Sequence, residues 1–222
     1  ELDGCENSGN ITFNATASAK PFLGGIIGHE SNKKSVMIKN CTNKGNIDLK
    51  STASASRIAG ILASRDSSAS TMTLDGCTNL GTIQISGAQS VTSNAWAVGG
   101  MVGYYTTGSI TVKNCTNGSK PDSSKGTVTV GEAIGGIGVG GIIGLGNKPA
   151  NISGCKNYGN VSQTGIGGYY LKEPKTNRYI GIGGIFGYNL AAGTSITNCE
   201  NHGLVEYGTA AANNRTNVGG IF

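Results

Sequence analysis

The sequence predicts an all-β chain wound into a parallel β-solenoid (β-helix) of about six coils, with three short strands in each. Three observations predict it. Six cysteines recur at one position of an imperfect repeat, at Cys5, Cys41, Cys77, Cys115, Cys155 and Cys199, spaced 36, 36, 38, 40 and 44 residues apart. Apolar residues alternate with polar ones, as in Ile47-Asp48-Leu49, and no stretch shows helical periodicity. Glycine supplies 38 of the 222 residues, far above a typical share of about 7%; its lack of a third-residue period excludes collagen, and its low helix propensity leaves turns and close backbone packing as its use.

Around each cysteine the repeat is legible residue by residue. Three positions before it stands an aliphatic: Leu2, Ile38, Leu74, Val112, Ile152, Ile196. Two positions after it stands an asparagine: Asn7, Asn43, Asn79, Asn117, Asn157, Asn201. Glycine follows at Gly9, Gly45, Gly81, Gly159 and Gly203, while the fourth copy inserts Ser119 to Lys125 ahead of Gly126. An alternating pair comes next: Ile11/Phe13, Ile47/Leu49, Ile83/Ile85 and Val128/Val130, then Val161 with Gln163 and Val205 with Tyr207. Each copy closes on a glycine-aliphatic motif, GGIIG at 24–28, AGILA at 59–63, GGMVG at 99–103, GGIIG at 140–144, GGIFG at 183–187 and GGIF at 219–222.

One such unit cannot bury its inner face alone. Stacking equivalent strands about 4.8 Å apart does so, and places like residues above like. The expected organisation is a single repeat domain, 1–222, with coils beginning near residues 1, 36, 72, 110, 150 and 194. A sandwich or a propeller is the rival architecture, although propeller blades need four strands. The first cysteine falls at once and the last motif stops at GGIF, so a piece of a longer protein with flanking domains is expected, its targeting signal lying elsewhere.

Net charge is +5, from 17 basic and 12 acidic side chains that make up only 13% of residues. The lysines are scattered, which argues against a nucleic-acid partner, and no apolar run is long enough for membrane insertion. The cysteines read as a ladder of reduced thiols: stacked Cα atoms fall within disulfide range, but parallel Cβ vectors fit the disulfide dihedral poorly. No CxxC is present, and His29 and His202 lack zinc spacing, so no metal and no cofactor is expected. The asparagine after each cysteine reads as a turn device whose stacked copies bond one another. Sequons at Asn10, Asn40 and Asn151 have meaning only in a glycosylating host.

The strings Val98 to Gly103, Gly108-Ser109-Ile110, Asn114-Cys115 and Gly126-Thr127-Val128 resemble the GLUG repeat. So do Gly24 to Gly28 with Asn40-Cys41-Thr42-Asn43-Lys44-Gly45-Asn46-Ile47, and Gly183 to Gly187 with Asn198-Cys199 through Val205. The resemblance spans essentially the whole chain; the second copy departs from it at Ala59 and Ala63. It implies a bacterial surface protein, similar to filamentous haemagglutinin-like adhesins, to the non-catalytic parts of immunoglobulin A peptidases and to surface proteins of gut Bacteroidetes. Fold and repeat type do not by themselves fix activity.

Catalysis finds little support. Gly136-x-Gly138-x-x-Gly141 has the form of a dinucleotide fingerprint but runs into a repeat strand instead of a helix. A polysaccharide lyase or glycosidase needs paired carboxylates or a base with cation clamps. Asp3 and Asp75 share one repeat position and Glu6 and Glu200 another, yet neither pair falls on adjacent coils.

The stretch between the alternating pair and the closing glycines varies most in length, so its loops should gather on one edge and carry binding. Its longest version supplies Tyr169, Tyr170, Lys172, Arg178 and Tyr179, and the third copy adds Trp96. These six are the candidate ligand-binding residues. A second line, His29, Ser64, Tyr104, Leu145 and Tyr188, follows the closing motifs and is expected to pack or face solvent. The leading expectation is a secreted or surface-anchored adhesin or adhesive stalk that binds host protein or glycan. A carbohydrate-active β-helix enzyme, or its accessory module, and a purely structural spacer are the alternatives.

Overall fold

The computed structural model describes residues 1–15, 19–31, 34–51, 56–66, 71–86, 89–90, 96–106, 108–131, 133–134, 137–165, 179–189, 191–209 and 215–222. Among these there is no α-helix. The chain forms a parallel β-solenoid in which, among the described residues, every strand pair is parallel and each of the first five repeats contributes one strand to each principal sheet.

Three strands per coil was too few. A full coil carries five, shown by the second repeat: Val36–Lys39, Thr42–Asn43, Ile47–Ser51, Arg57–Ala59 and Leu62–Arg65. Two bends make the difference. The residue before each cysteine takes a left-handed φ, +65° at Gly4, +50° at Asn40, +65° at Gly76, +55° at Asn114, +61° at Gly154 and +51° at Asn198, and so breaks the first apolar run in two. The closing glycine pair breaks the last run at a second bend, where a Cβ on Gly99 would lie 2.0 Å from Val102 O and 2.8 Å from Gly144 N. Four sheets are six strands deep, the sheet after the glycine pair is five deep, and Gln89–Ser90 pairs with Ala133–Ile134 as a small addition.

Register follows the repeat. Leu2 pairs with Ile38, Ile38 with Leu74, Leu74 with Val112, Val112 with Ile152 and Ile152 with Ile196. These residues, the buried cysteines, Met101, Val102, Ile142 and Phe186 build one apolar column. Ile47, Leu49, Ile58, Ile83, Ile85, Trp96, Val98, Val128 and Val139 build a second. Full burial of each aliphatic contributes about 1.5–3 kcal/mol.

The asparagines divide the two columns. Asn43, Asn79, Asn117 and Asn157 have no exposed surface, and each amide donates to the Oδ1 of the next coil at 2.7–2.8 Å. The second glycine of each of the first five closing motifs faces this ladder: a Cβ on Gly60 would lie 2.2 Å from Asn79 Cγ, and one on Gly141 2.3 Å from Asn157 Cγ. Asparagine and glycine, far apart in the repeat, are thus two halves of one contact.

Candidate functional site

Residues just after the closing motifs form a line along the axis: His29, Ser64, Tyr104, Leu145 and Tyr188 pair in register. In the neighbouring sheet a second line runs through Phe22, Arg57, Ala97, Gly138 and Gly181. Over the first three coils the two lines converge on rings around one cation. His29 stacks on Phe22 with centroids 4.9 Å apart and planes 20° from parallel. The Arg57 guanidinium lies 5.1 Å from the Phe22 centroid and 4.1 Å from that of Tyr104, contacts of about 0.5–2 kcal/mol each.

Polar bonds fix these groups. Arg57 Nη1 donates to Ser64 Oγ at 2.8 Å, Asn147 Nδ2 donates to Tyr104 Oη at 2.7 Å, and His29 Nε2 lies 3.5 Å from Asp66 Oδ1. Burial pulls the pKa of Arg57 down, with Tyr104 and Asp66 opposing; burial pushes the Tyr104 phenol up, against the pull of Arg57. A guanidinium stays charged at physiological pH, and Ser64 takes one of its five N–H groups. Arg57 is half-buried beside the exposed Phe22 ring, so the open side of its guanidinium can meet an acceptor from outside. The cluster ends at the third coil for a steric reason: a Cβ on Gly138 would lie 3.1 Å from Leu145 Cβ, and one on Gly181 2.8 Å from Tyr188 Cβ.

Outer charges follow a two-coil rhythm. Asp3, Lys39, Asp75 and Lys113 alternate in register, with Lys113 Nζ 3.1 Å from Asp75 and Lys39 Nζ 2.9 Å from Glu1. Asn40 donates to Asp3 at 2.9 Å and Asn114 to Asp75 at 3.1 Å. Glu6 pairs with Lys44, and Glu200 with Lys156 and His202. The four acids singled out by repeat position therefore face cations and amides, with Lys39 between Asp3 and Asp75. A further pair, Arg65 and Glu30, is buried at 3.4 Å with side chains 1% and 9% exposed. Among the described residues no group of three or more His, Cys, Asp or Glu is disposed to hold a metal ion.

Of the six expected binding residues, Trp96 and Tyr179 are among the described ones. Trp96 is a correction: it has no exposed surface and lies in the second apolar column. Its strand, Trp96–Gly99, turns Trp96 and Val98 inward together, as period-two geometry requires. A signal was present, since Ile137 and Ile180 hold the same place three residues before their closing glycines. Tyr179 opens the strand Tyr179–Gly183 and pairs with Arg215. Tyr169, Tyr170, Lys172 and Arg178 lie outside the described residues. Phe22 and Arg57 were missed; the signal for them was their place directly after the variable stretch, in register beside His29 and Ser64.

Comparison with protein-family models, with curated proteins and with solved structures gave no significant match, so the likeness to GLUG repeats rests on the quoted residues alone.

Proposed function

We propose that the chain is a non-enzymatic cell-surface repeat protein, a bacterial adhesin or adhesive stalk that binds host protein or glycan along one side of the solenoid. The observation that carries this reading is the lateral cluster of Phe22, His29, Arg57 and Tyr104: ring surface beside a half-buried cation, held on strands and not on a loop. Aromatic and arginine side chains together are enriched where proteins meet partners. The likeness to GLUG repeats supports the surface location.

The test is a glycan and extracellular-matrix array probed with wild type, Arg57→Ala and Tyr104→Ala, run beside a turnover assay on acidic polysaccharides. Specific retention that drops at least tenfold in both variants is expected. Turnover abolished by a single carboxylate substitution would replace this reading with the enzyme. A structural spacer is the second reading, favoured by the outer charges being paired within the chain; it takes over if the array shows no retention and the assay no turnover.

A further inference from the structure

The second repeat carries two arginines on neighbouring strands, and their surroundings differ. Arg65, at the end of Leu62–Arg65, is buried with its Nη1 3.4 Å from Glu30 Oε2. Arg57, at the start of Arg57–Ala59, is half-buried and has no ion pair among the described residues. Its hydrogen bond goes to a neutral hydroxyl, Ser64 Oγ, and its cation lies over the Phe22 and Tyr104 rings. Asp66 adds a coulombic pull but is itself held by His29, 3.5 Å away.

Taking a cation partly out of water is costly unless an anion answers it. Ring faces offset part of that cost, and the open side of the guanidinium leaves room for the anion. A second donor stands beside it. Tyr104 Oη accepts from Asn147 Nδ2 at 2.7 Å, so the phenol's own hydrogen is left to give. A planar carboxylate suits a guanidinium fork better than a single hydroxyl does. Next to these donors lie the exposed Phe22 ring and the His29 ring stacked on it. A pyranose that carries a carboxylate brings the acceptor and a flat C–H face on one rigid ring. An acidic side chain of a protein brings the acceptor without that face, and a neutral sugar brings the face without the charge.

Building on the adhesive role proposed above and narrowing it, we infer that the ligand is an acidic glycan, its uronate or sialate carboxylate received by Arg57 and the Tyr104 hydroxyl and its sugar ring laid against Phe22. The sugar is held without covalent change. Arginine serves here through its fork as well as its charge, so lysine is no substitute. Half-burial of the cation also makes this contact less sensitive to salt than an ion pair in open solvent.

The test measures binding of the full chain to galacturonate oligomers and to sialyllactose, each beside its carboxyl-reduced alcohol, with lactose and poly-glutamate as controls. Saturable binding to at least one acidic sugar is expected, weaker by about tenfold or more for its reduced form and for poly-glutamate. Arg57→Lys keeps the charge and loses the fork, and Tyr104→Phe keeps the ring and loses the hydroxyl. Each should weaken binding about fivefold or more with circular dichroism unchanged, and the comparison of acid with alcohol stands even if a variant does not fold. Equal binding of acid and alcohol, tighter binding of poly-glutamate, or wild-type binding by both folded variants overturns the acidic-glycan assignment. Retention on neutral glycans or matrix proteins alone, lost in Arg57→Ala, also overturns it while leaving the adhesive role standing; no retention on any ligand overturns both.

Discussion

Asn79 Nδ2 donates to Asn117 Oδ1 at 2.8 Å and also to the Gly81 carbonyl at 3.0 Å, so both hydrogens of one amide are engaged. The same double donation occurs at Asn43 and Asn157, and at Asn117 toward Gly126. All links run in one sense along the axis, each Oδ1 accepting from the coil before it. The asparagine is therefore more than a turn residue. It satisfies its own turn and bonds two further coils.

Replacing Asn79 by alanine strands an Asn43 N–H, the Asn117 Oδ1 and the Gly81 carbonyl in the interior. An orphaned buried group costs about 1–3 kcal/mol, and partial relaxation should leave a net loss of about 3 kcal/mol in urea unfolding. Asn201→Ala, at a partly exposed position with one ladder link, should lose about 1 kcal/mol by the same reasoning. Equal losses at the two positions would reduce the ladder to independent turns.

The glycine half of that contact makes a sharper comparison. A Cβ on Gly100 would lie 2.0 Å from Gly141 O and 2.4 Å from Asn117 Cγ, whereas one on Gly220 meets nothing within 4 Å. Both occupy the same place in the closing motif. Gly100→Ala must push the next coil's backbone away and should cost about 3 kcal/mol or more, while Gly220→Ala should stay within about 0.5 kcal/mol. Thermal midpoints measured side by side decide it, and similar shifts would mean that the motif's glycines serve chain flexibility instead of close approach.

These contacts show what was legible in the sequence and what was not. Strand direction, stacking and register followed from the recurrence of Cys, Asn and aliphatic positions, because a period of one coil maps directly onto parallel pairing. The strand count did not, because the bend before each cysteine is carried by glycine in one copy and asparagine in the next: Gly4, Asn40, Gly76, Asn114, Gly154, Asn198. Comparing single copies hides that alternation. In the structure glycine and asparagine face each other along this line, since a Cβ on Gly76 or on Gly154 would sit 2.9 Å from the Oδ1 of Asn40 or Asn114. The Arg57 cluster was hidden for a similar reason: its members come from three coils and two sheets, and no single repeat contains it.

Trp96 offers a test of the second column. Its indole is fully buried, and among the described residues its Nε1 has no hydrogen-bond partner. Trp96→Ala should cost about 3–5 kcal/mol through the cavity it leaves. Trp96→Phe should cost much less, because it removes an unsatisfied N–H along with part of the ring. As the chain's single tryptophan, it should fluoresce at short wavelength and resist acrylamide quenching. A solvent-like emission from the folded protein would return it to the surface.

Asp75 sets the expected behaviour in acid. Slight burial would raise its pKa, but hydrogen bonds from Lys113 and Asn114, with Lys39 nearby, outweigh that and hold the carboxyl below its usual value. An unfolded aspartate titrates near 3.9, so the unfolded chain takes up its proton first as pH falls. The stabilisation is complete above about pH 4 and is lost on passing through the lower folded value. The carboxyl stays in contact with solvent, so the effect should be under about 1 kcal/mol and shrink in high salt. Asp75→Asn should flatten this part of the acid limb when urea midpoints are followed from about pH 6 downward, whereas an acid limb identical to wild type would show that the alternating Asp and Lys line adds nothing to coil-to-coil adhesion.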